Sequence, residues 1–99
     1  YEIYSSNQNG DSLSRLTNSS SYELKPLFDG RRDNIAFSSN STVDYHIYTM
    51  KKDGSGIQRV TTLPIAGYHN QGIGFSWSPD YGKFVYSHYT KLYRIDRDG

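Results

Sequence analysis

Two stretches of the chain carry one pattern at constant spacing. Tyr1-Glu2-Ile3-Tyr4 leads to Asn9-Gly10 and then to Arg15-Leu16-Thr17. Tyr45-His46-Ile47-Tyr48 leads to Asp53-Gly54 and then to Arg59-Val60-Thr61. Ile3 and Ile47, Gly10 and Gly54, and Thr17 and Thr61 are each 44 positions apart. A partial third copy, Leu92-Tyr93 to Asp98-Gly99, follows 45 positions after the second. A second set of matches has an offset of 49: Phe28 with Trp77, Ile35 with Phe84, Ala36 with Val85, Phe37 with Tyr86 and Ser38 with Ser87. The offsets differ because length changes between the matched segments. About five residues are added within 63–72 and about four are lost between Ser87 and Leu92. Repeats tolerate insertions in this way when the matched segments are elements and the rest are loops.

The matched segments are short and rich in β-branched and aromatic residues, with turn residues between them, which predicts strands. A period of roughly 40–45 residues built from short strands predicts β-propeller blades of four antiparallel strands, a to d. Residues 1–17 then supply strands c (Tyr1–Ser5) and d (Leu13–Thr17) of a first blade. Residues 22–61 form a complete middle blade, with a at Lys25–Phe28, b at Ile35–Ser39, c at Tyr45–Met50 and d at Ile57–Thr61. Residues 73–99 supply a (Ile73–Trp77), b (Phe84–Ser87) and c (Lys91–Ile95) of a third. Asn9-Gly10, Asp53-Gly54 and Asp98-Gly99 fall at the c–d reversal and predict primed turns with positive φ at both central residues. Ile35-Ala36-Phe37 and Phe84-Val85-Tyr86 are continuous apolar triplets. Such triplets suit a sheet covered on both faces by its neighbours, not one with a wet face. No helical period occurs anywhere.

Composition is compatible with a folded chain. Leu, Ile, Val and Phe are about one residue in five, near the lean edge for a folded domain. Ten Tyr, four Phe and one Trp supply the missing burial, each able to cover roughly 150–250 Å². A formal net charge of +1 gives no electrostatic case for nucleic acid or an acidic membrane. With no Cys there is no disulfide framework or thiolate chemistry. No apolar run approaches the roughly 18 residues of a membrane span. The chain starts on Tyr1, inside a repeat and without a visible signal peptide, as expected of a processed or excised product.

The segment Phe75-Ser76-Trp77-Ser78-Pro79-Asp80-Tyr81-Gly82-Lys83-Phe84-Val85-Tyr86-Ser87 resembles the repeat of TolB-type β-propellers: an aromatic, Ser-Pro-Asp-Gly, a basic residue, an apolar triplet and Ser. The pattern continues in Ile47-Tyr48, Asp53-Gly54 and Arg59-Val60-Thr61. The resemblance covers essentially the whole chain as about two and a quarter repeats. Two departures stand out: Tyr81 is inserted between Asp80 and Gly82, and the middle blade has Phe28-Asp29-Gly30-Arg31-Arg32-Asp33 in place of Ser-Pro-Asp-Gly. The Trp-Asp and Gly-His pairs of WD-type repeats are absent. Pro79 fixes φ, and Ser78 and Asp80 are placed to bond local N–H groups, so this motif reads as scaffold.

The resemblance implies an all-β segment of a propeller of six blades, with seven or eight as alternatives. It also implies a periplasmic or cell-surface location in bacteria and a non-catalytic protein-binding or scaffold role. The enzymatic alternative is the propeller part of a prolyl-oligopeptidase-type peptidase or of a polysaccharide lyase. Protein partners are expected, nucleic acid and a membrane span are not, and no cofactor is implied. The uncompleted blades call for neighbours from the rest of a longer chain or from a homo-oligomer, since open sheet edges are a liability.

Candidate chemistry is sparse. The inserted loop 67–72 carries Tyr68, His69, Asn70 and Gln71, the one segment rich in groups that bind a ligand or partner, and a solvated polar loop is the competing reading. His46 lies within a strand, where packing or a cross-strand bond is expected rather than catalysis. Asp96-Arg97-Asp98-Gly99 has the start of a calcium loop without its later acidic ligands, and no metal site is expected. No Gly-x-Ser-x-Gly elbow and no paired-carboxylate spacing is present. Asn18-Ser19-Ser20 and Asn40-Ser41-Thr42 are sequons, relevant only in a eukaryotic secretory pathway.

Overall fold

Nine strands form three antiparallel sheets in the computed structural model, which describes residues 1–7, 9–10, 13–18, 21–31, 33–42, 44–61, 75–88, 91–97 and 99. The first sheet pairs β1 (Tyr4–Ser5) with β2 (Ser14–Arg15). The second has the order β3 (Glu23–Phe28), β4 (Asn34–Thr42), β5 (Asp44–Lys51), β6 (Gln58–Arg59). The third has the order β7 (Phe75–Trp77), β8 (Lys83–His88), β9 (Lys91–Asp96). No helix occurs among the described residues, and none is long and apolar enough to cross a membrane. Each strand expected from the repeat is present, in the expected order within its sheet.

The two c–d pairs are shorter than the repeat suggests, for a physical reason. The Ile3 N–H donates to the Thr17 hydroxyl oxygen at 2.9 Å, and the Ile47 N–H donates to that of Thr61 at 3.1 Å. Leu16 N–H and Val60 N–H return bonds to the Ile3 and Ile47 carbonyls, both at 2.8 Å. A side-chain oxygen thus replaces a backbone carbonyl at the last rung, and the regular ladder stops there.

The reversals at Gly10, Gly54 and Gly99 share one hydrogen bond and a left-handed glycine. Each glycine N–H bonds the carbonyl three residues earlier, on Asn7, Lys51 and Asp96, at 3.0, 2.8 and 2.9 Å. The glycines have φ of 83°, 90° and 97°, whereas neither Asn9 nor Asp53 has positive φ. The expected primed turn is therefore corrected. The loop Lys52-Asp53-Gly54 is the three-residue kind, a type I turn closed by a left-handed glycine, with the Lys51 N–H pairing back to Ser55 O at 2.8 Å. The side chain of Asp53 accepts from the Ser55 N–H at 2.9 Å, which favours this longer loop over the two-residue one.

The middle sheet is covered on both faces. Alternation sends Ile35, Phe37, Tyr48 and Met50 to one side, where they pack with Ile3 and Leu16 of the first sheet. Ala36, Ile47 and Val60 point to the other side, against Phe75, Phe84 and Tyr86 of the third. All three members of the triplet Ile35-Ala36-Phe37 are accordingly buried. In the matching triplet, Phe84 and Tyr86 are buried while Val85 is 38% exposed. Val85 and Leu92 occupy the positions of Ala36 and Ile47, on the face that no described residue covers.

Strand β3 departs from regularity at Lys25 (φ 55°) and Pro26, where the register shifts between Leu24 and Leu27. Pro26 has no N–H to give the ladder, and a bulge accommodates it.

Candidate binding cleft at the turn ends of the sheets

The a–b turns of the second and third sheets share one hydrogen-bond plan. Asp29 and Asn34 in the middle sheet match Ser78 and Lys83 in the third, each 49 positions apart. Asp29 N–H donates to Asn34 O at 3.1 Å, and Ser78 N–H to Lys83 O at 2.8 Å. The return bond reaches a side chain in both: Asn34 N–H to Asp29 Oδ1 at 3.5 Å, and Lys83 N–H to the Ser78 hydroxyl at 3.0 Å. Asp80 completes the third-sheet turn by accepting from the Ser78 hydroxyl at 2.7 Å and the Gly82 N–H at 2.9 Å. The Ser-Pro-Asp segment is the scaffold its chemistry predicts.

Where these turns meet, they enclose a half-open cleft of about 400 Å³, lined by Asp29, Arg31, Asp33, Asn34, Tyr81 and Arg97 among others. Its floor is Asp29, a buried carboxylate. It accepts from Asp33 N–H at 3.1 Å, from the Asn34 side-chain amide at 3.2 Å, and from Arg97 Nη2 at 3.2 Å. Burial alone would raise the Asp29 pKa, but the bonds from Asn34, Arg97 and the two backbone N–H groups outweigh it and hold the carboxyl below its ordinary value. Asp80 is also held low, by the Gly82 N–H and the Ser78 hydroxyl, so both groups are anionic at neutral pH.

Arg97 is the hub. Its Nη1 donates to the Tyr81 carbonyl at 3.1 Å, and its guanidinium carbon lies 5.0 Å from the centre of the Trp77 ring. The Arg97 backbone N–H bonds Gly82 O at 3.0 Å, as Lys52 N–H bonds Asp33 O at 3.0 Å in the preceding sheet. A planar, permanently charged group suits a site that asks for two hydrogen bonds in plane and an aromatic face beside it. Tyr81, the inserted residue, takes φ 61° and sets its ring edge-on to Trp77, with centroids 6.0 Å apart. The same ring covers Gly30, where a Cβ would stand 2.5 Å from it. Trp77 Nε1 reaches across to Leu27 O at 3.3 Å. The cleft wall is therefore made by both sheets.

A second hollow of about 370 Å³ shares Asp33 and Asn34 and runs on to Lys51, Lys52 and Asp53. Together the hollows form a track over the turn ends that presents both signs of charge, with Arg31, Lys51, Lys52 and Arg97 against Asp33, Asp53 and Asp80. Such a surface suits a polar polypeptide segment, which offers donors, acceptors and both charges along its length.

No protein-family model matches the chain, and no curated protein matches it.

Tyr68, His69, Asn70 and Gln71, the expected binding loop, lie outside the described residues, as does Asp98. His46 is buried, and its Nδ1 lies 3.1 Å from Thr61 O and 3.0 Å from the Thr61 hydroxyl, the cross-strand role expected for it. Glu2 stands at the same position one repeat earlier and hydrogen-bonds the hydroxyl of Thr17. This position serves the Ile–Thr rung whether it is acidic or imidazole. The Asn40 side-chain oxygen accepts from Tyr22 N–H at 2.8 Å, which ties this sequon residue to the start of β3. Among the described residues, no three His, Asp or Glu side chains gather as a metal site. The groups that sequence reasoning missed are Asp29, Arg31, Tyr81 and Arg97. Their signal was the pair of departures from the repeat pattern, at Asp29-Gly30 and at Tyr81, which face each other in the fold.

Proposed function

We propose that this chain is a segment of a TolB-like β-propeller of the bacterial cell envelope. In this reading it is a non-catalytic module that binds a protein partner through the track of turns between its second and third sheets. One observation carries the reading: the contact between successive sheets is repeated. A Cβ on Gly54 would stand 2.8 Å from Leu16 O, and one on Gly99 would stand 3.2 Å from Val60 O. Gly54 and Gly99 are equivalent positions of the repeat, and so are Leu16 and Val60. Each turn glycine sits over the carbonyl of the preceding d strand, so the step between sheets one and two is made again between two and three. In a propeller such a step, repeated, closes into a ring of blades whose turns share one rim, and this is the closure proposed for the chain. Loops on one rim of a rigid scaffold are where binding residues concentrate.

The test is site-specific photocrosslinking of the protein mixed with envelope extract. A crosslinker at Arg31, an exposed residue of the cleft, is expected to capture one discrete protein. The same group at Leu13, far along the repeat from any a–b turn, is expected to capture none. Absence of a Arg31 adduct, together with measured hydrolase or lyase turnover by the protein, would overturn the proposal.

A further inference from the structure

In the cleft between the second and third sheets the acceptors of the floor are filled while donors on the wall stay open. A carboxylate offers about four lone-pair sites to hydrogen bonds. Asp29 fills that number, accepting from Asp33 N–H, from the Asn34 N–H and side-chain amide, and from Arg97. Nothing is left on it for the donor of a ligand. Arg97 is in the opposite condition. Arginine carries a fixed fork of N–H donors, one on Nε and two on each Nη. Among the described residues, one Nη1 donor goes to Tyr81 O and one Nη2 donor to Asp29, and the Nε donor and one on each Nη stay open. Those two bonds and the Trp77 face at 5.0 Å fix the side chain, so the ordering cost of binding is already met. Arg31 lines the same cleft, is exposed, and pairs with no described carboxylate.

We infer that the cleft takes an aspartate or glutamate side chain of the partner polypeptide, its carboxylate received by the open donors of Arg97, with Arg31 as the second cation. This names the anchor group of the partner proposed above and rests on that reading. Asp33 and Asp80 line the cleft as well and oppose an anion. Both are exposed, so solvent weakens their repulsion. Asp80 also turns Oδ1 into its own loop, toward the Ser78 hydroxyl and the Gly82 N–H. The Arg97 side chain is only 33% exposed, and a fork partly withdrawn from water binds a carboxylate more strongly than a fully solvated one.

The experiment titrates acetyl-Gly-Asp-Gly-amide into the isotope-labelled protein and follows the side-chain Nε–Hε signal of Arg97. A saturable shift is expected. Acetyl-Gly-Asn-Gly-amide is expected to bind about tenfold more weakly, as suits loss of hydrogen bonds to a charged group. Arg31→Gln is expected to weaken binding of the Asp peptide about threefold, and Asp33→Asn to strengthen it about twofold, the scale of exposed charge pairs. Both changes fall on exposed side chains of the turn. No saturable shift at Arg97 would overturn the inference, as would equal binding of the Asn peptide, unchanged affinity in Arg31→Gln, or tighter binding of acetyl-Gly-Lys-Gly-amide. Sodium acetate binding as tightly as the Asp peptide would assign the site to a small free carboxylate and would also overturn it. Crosslinking at Arg31 reports a protein over the cleft whatever side chain it inserts, and the peptide titration needs no envelope extract, so the two proposals fail separately.

Discussion

Arg97 and Asp29 are 68 positions apart in the chain and form an ion pair at 3.2 Å that ties the c–d turn of the third sheet to the a–b turn of the second. Asp29 is nearly inaccessible, so its charge is held by donors alone, and Arg97 is the only charged one among them in the described structure. Replacing Asp29 with Ala leaves the Arg97 and Asn34 donors without their acceptor. The expected cost is about 2 kcal/mol, the scale of hydrogen bonds to a charged group. Urea unfolding of D29A against the parent protein checks it. An unchanged midpoint would remove Asp29 as the floor of the cleft.

The same carboxylate makes stability depend on pH with a defined sign. Asp29 has a lower pKa in the folded chain than the ordinary value of 3.8, because its bonds to Asn34, Arg97 and backbone N–H groups outweigh burial. A group depressed by folding contributes stability that is fully present above its unfolded pKa and is lost as the pH falls through its folded value. Stability is therefore expected to fall below about pH 4, with a shallower fall in D29N. Asp53 and Asp80 are depressed as well and add to the parent slope in the same direction. Urea midpoints measured between neutral and strongly acid pH, compared for the two proteins, provide the check.

Gly10 and Gly54 occupy equivalent turns with φ of 83° and 90°, yet only Gly54 meets a neighbouring sheet. Alanine at either position costs about 1–2 kcal/mol for the left-handed backbone. At Gly54 the new Cβ also meets the Leu16 carbonyl, which is backbone and cannot swing aside, adding about 1–3 kcal/mol. G54A is expected to be clearly less stable than G10A by thermal unfolding.

The Ile–Thr rung predicts matched effects in two repeats. Thr17→Val and Thr61→Val preserve shape but strand the buried N–H of Ile3 or Ile47, at a cost of about 1–3 kcal/mol each. Hydrogen exchange should show the loss at that single amide before it shows elsewhere.

The strands were legible because one unit is written more than once, so weak local signals at Ile3, Ile47 and Leu92 reinforce one another across the chain. The two covered faces of the middle sheet were legible from Ile35-Ala36-Phe37, since a sheet with a wet face would not place three apolar residues in succession. The turn type was not. Asp53-Gly54 is compatible with two-residue and three-residue loops, and the bond from Ser55 to Asp53, one residue beyond the pair, decides between them. The cleft was not legible either. Asp29 and Arg97 come together only when two sheets stack, and nothing in their local sequence sets that approach. Tyr81 was visible as an insertion, but its purpose as a cover for Gly30 depends on the sheet beside it.

Solution nuclear Overhauser contacts test whether the same step relates the first sheet to the second and the second to the third. A strong contact is expected from the Gly54 Hα atoms to Leu16 Hα and, as its counterpart, a weaker one from the Gly99 Hα atoms to the protons flanking the Val60 carbonyl. Finding the first without the second, or either glycine in contact with its own sheet only, would contradict the account.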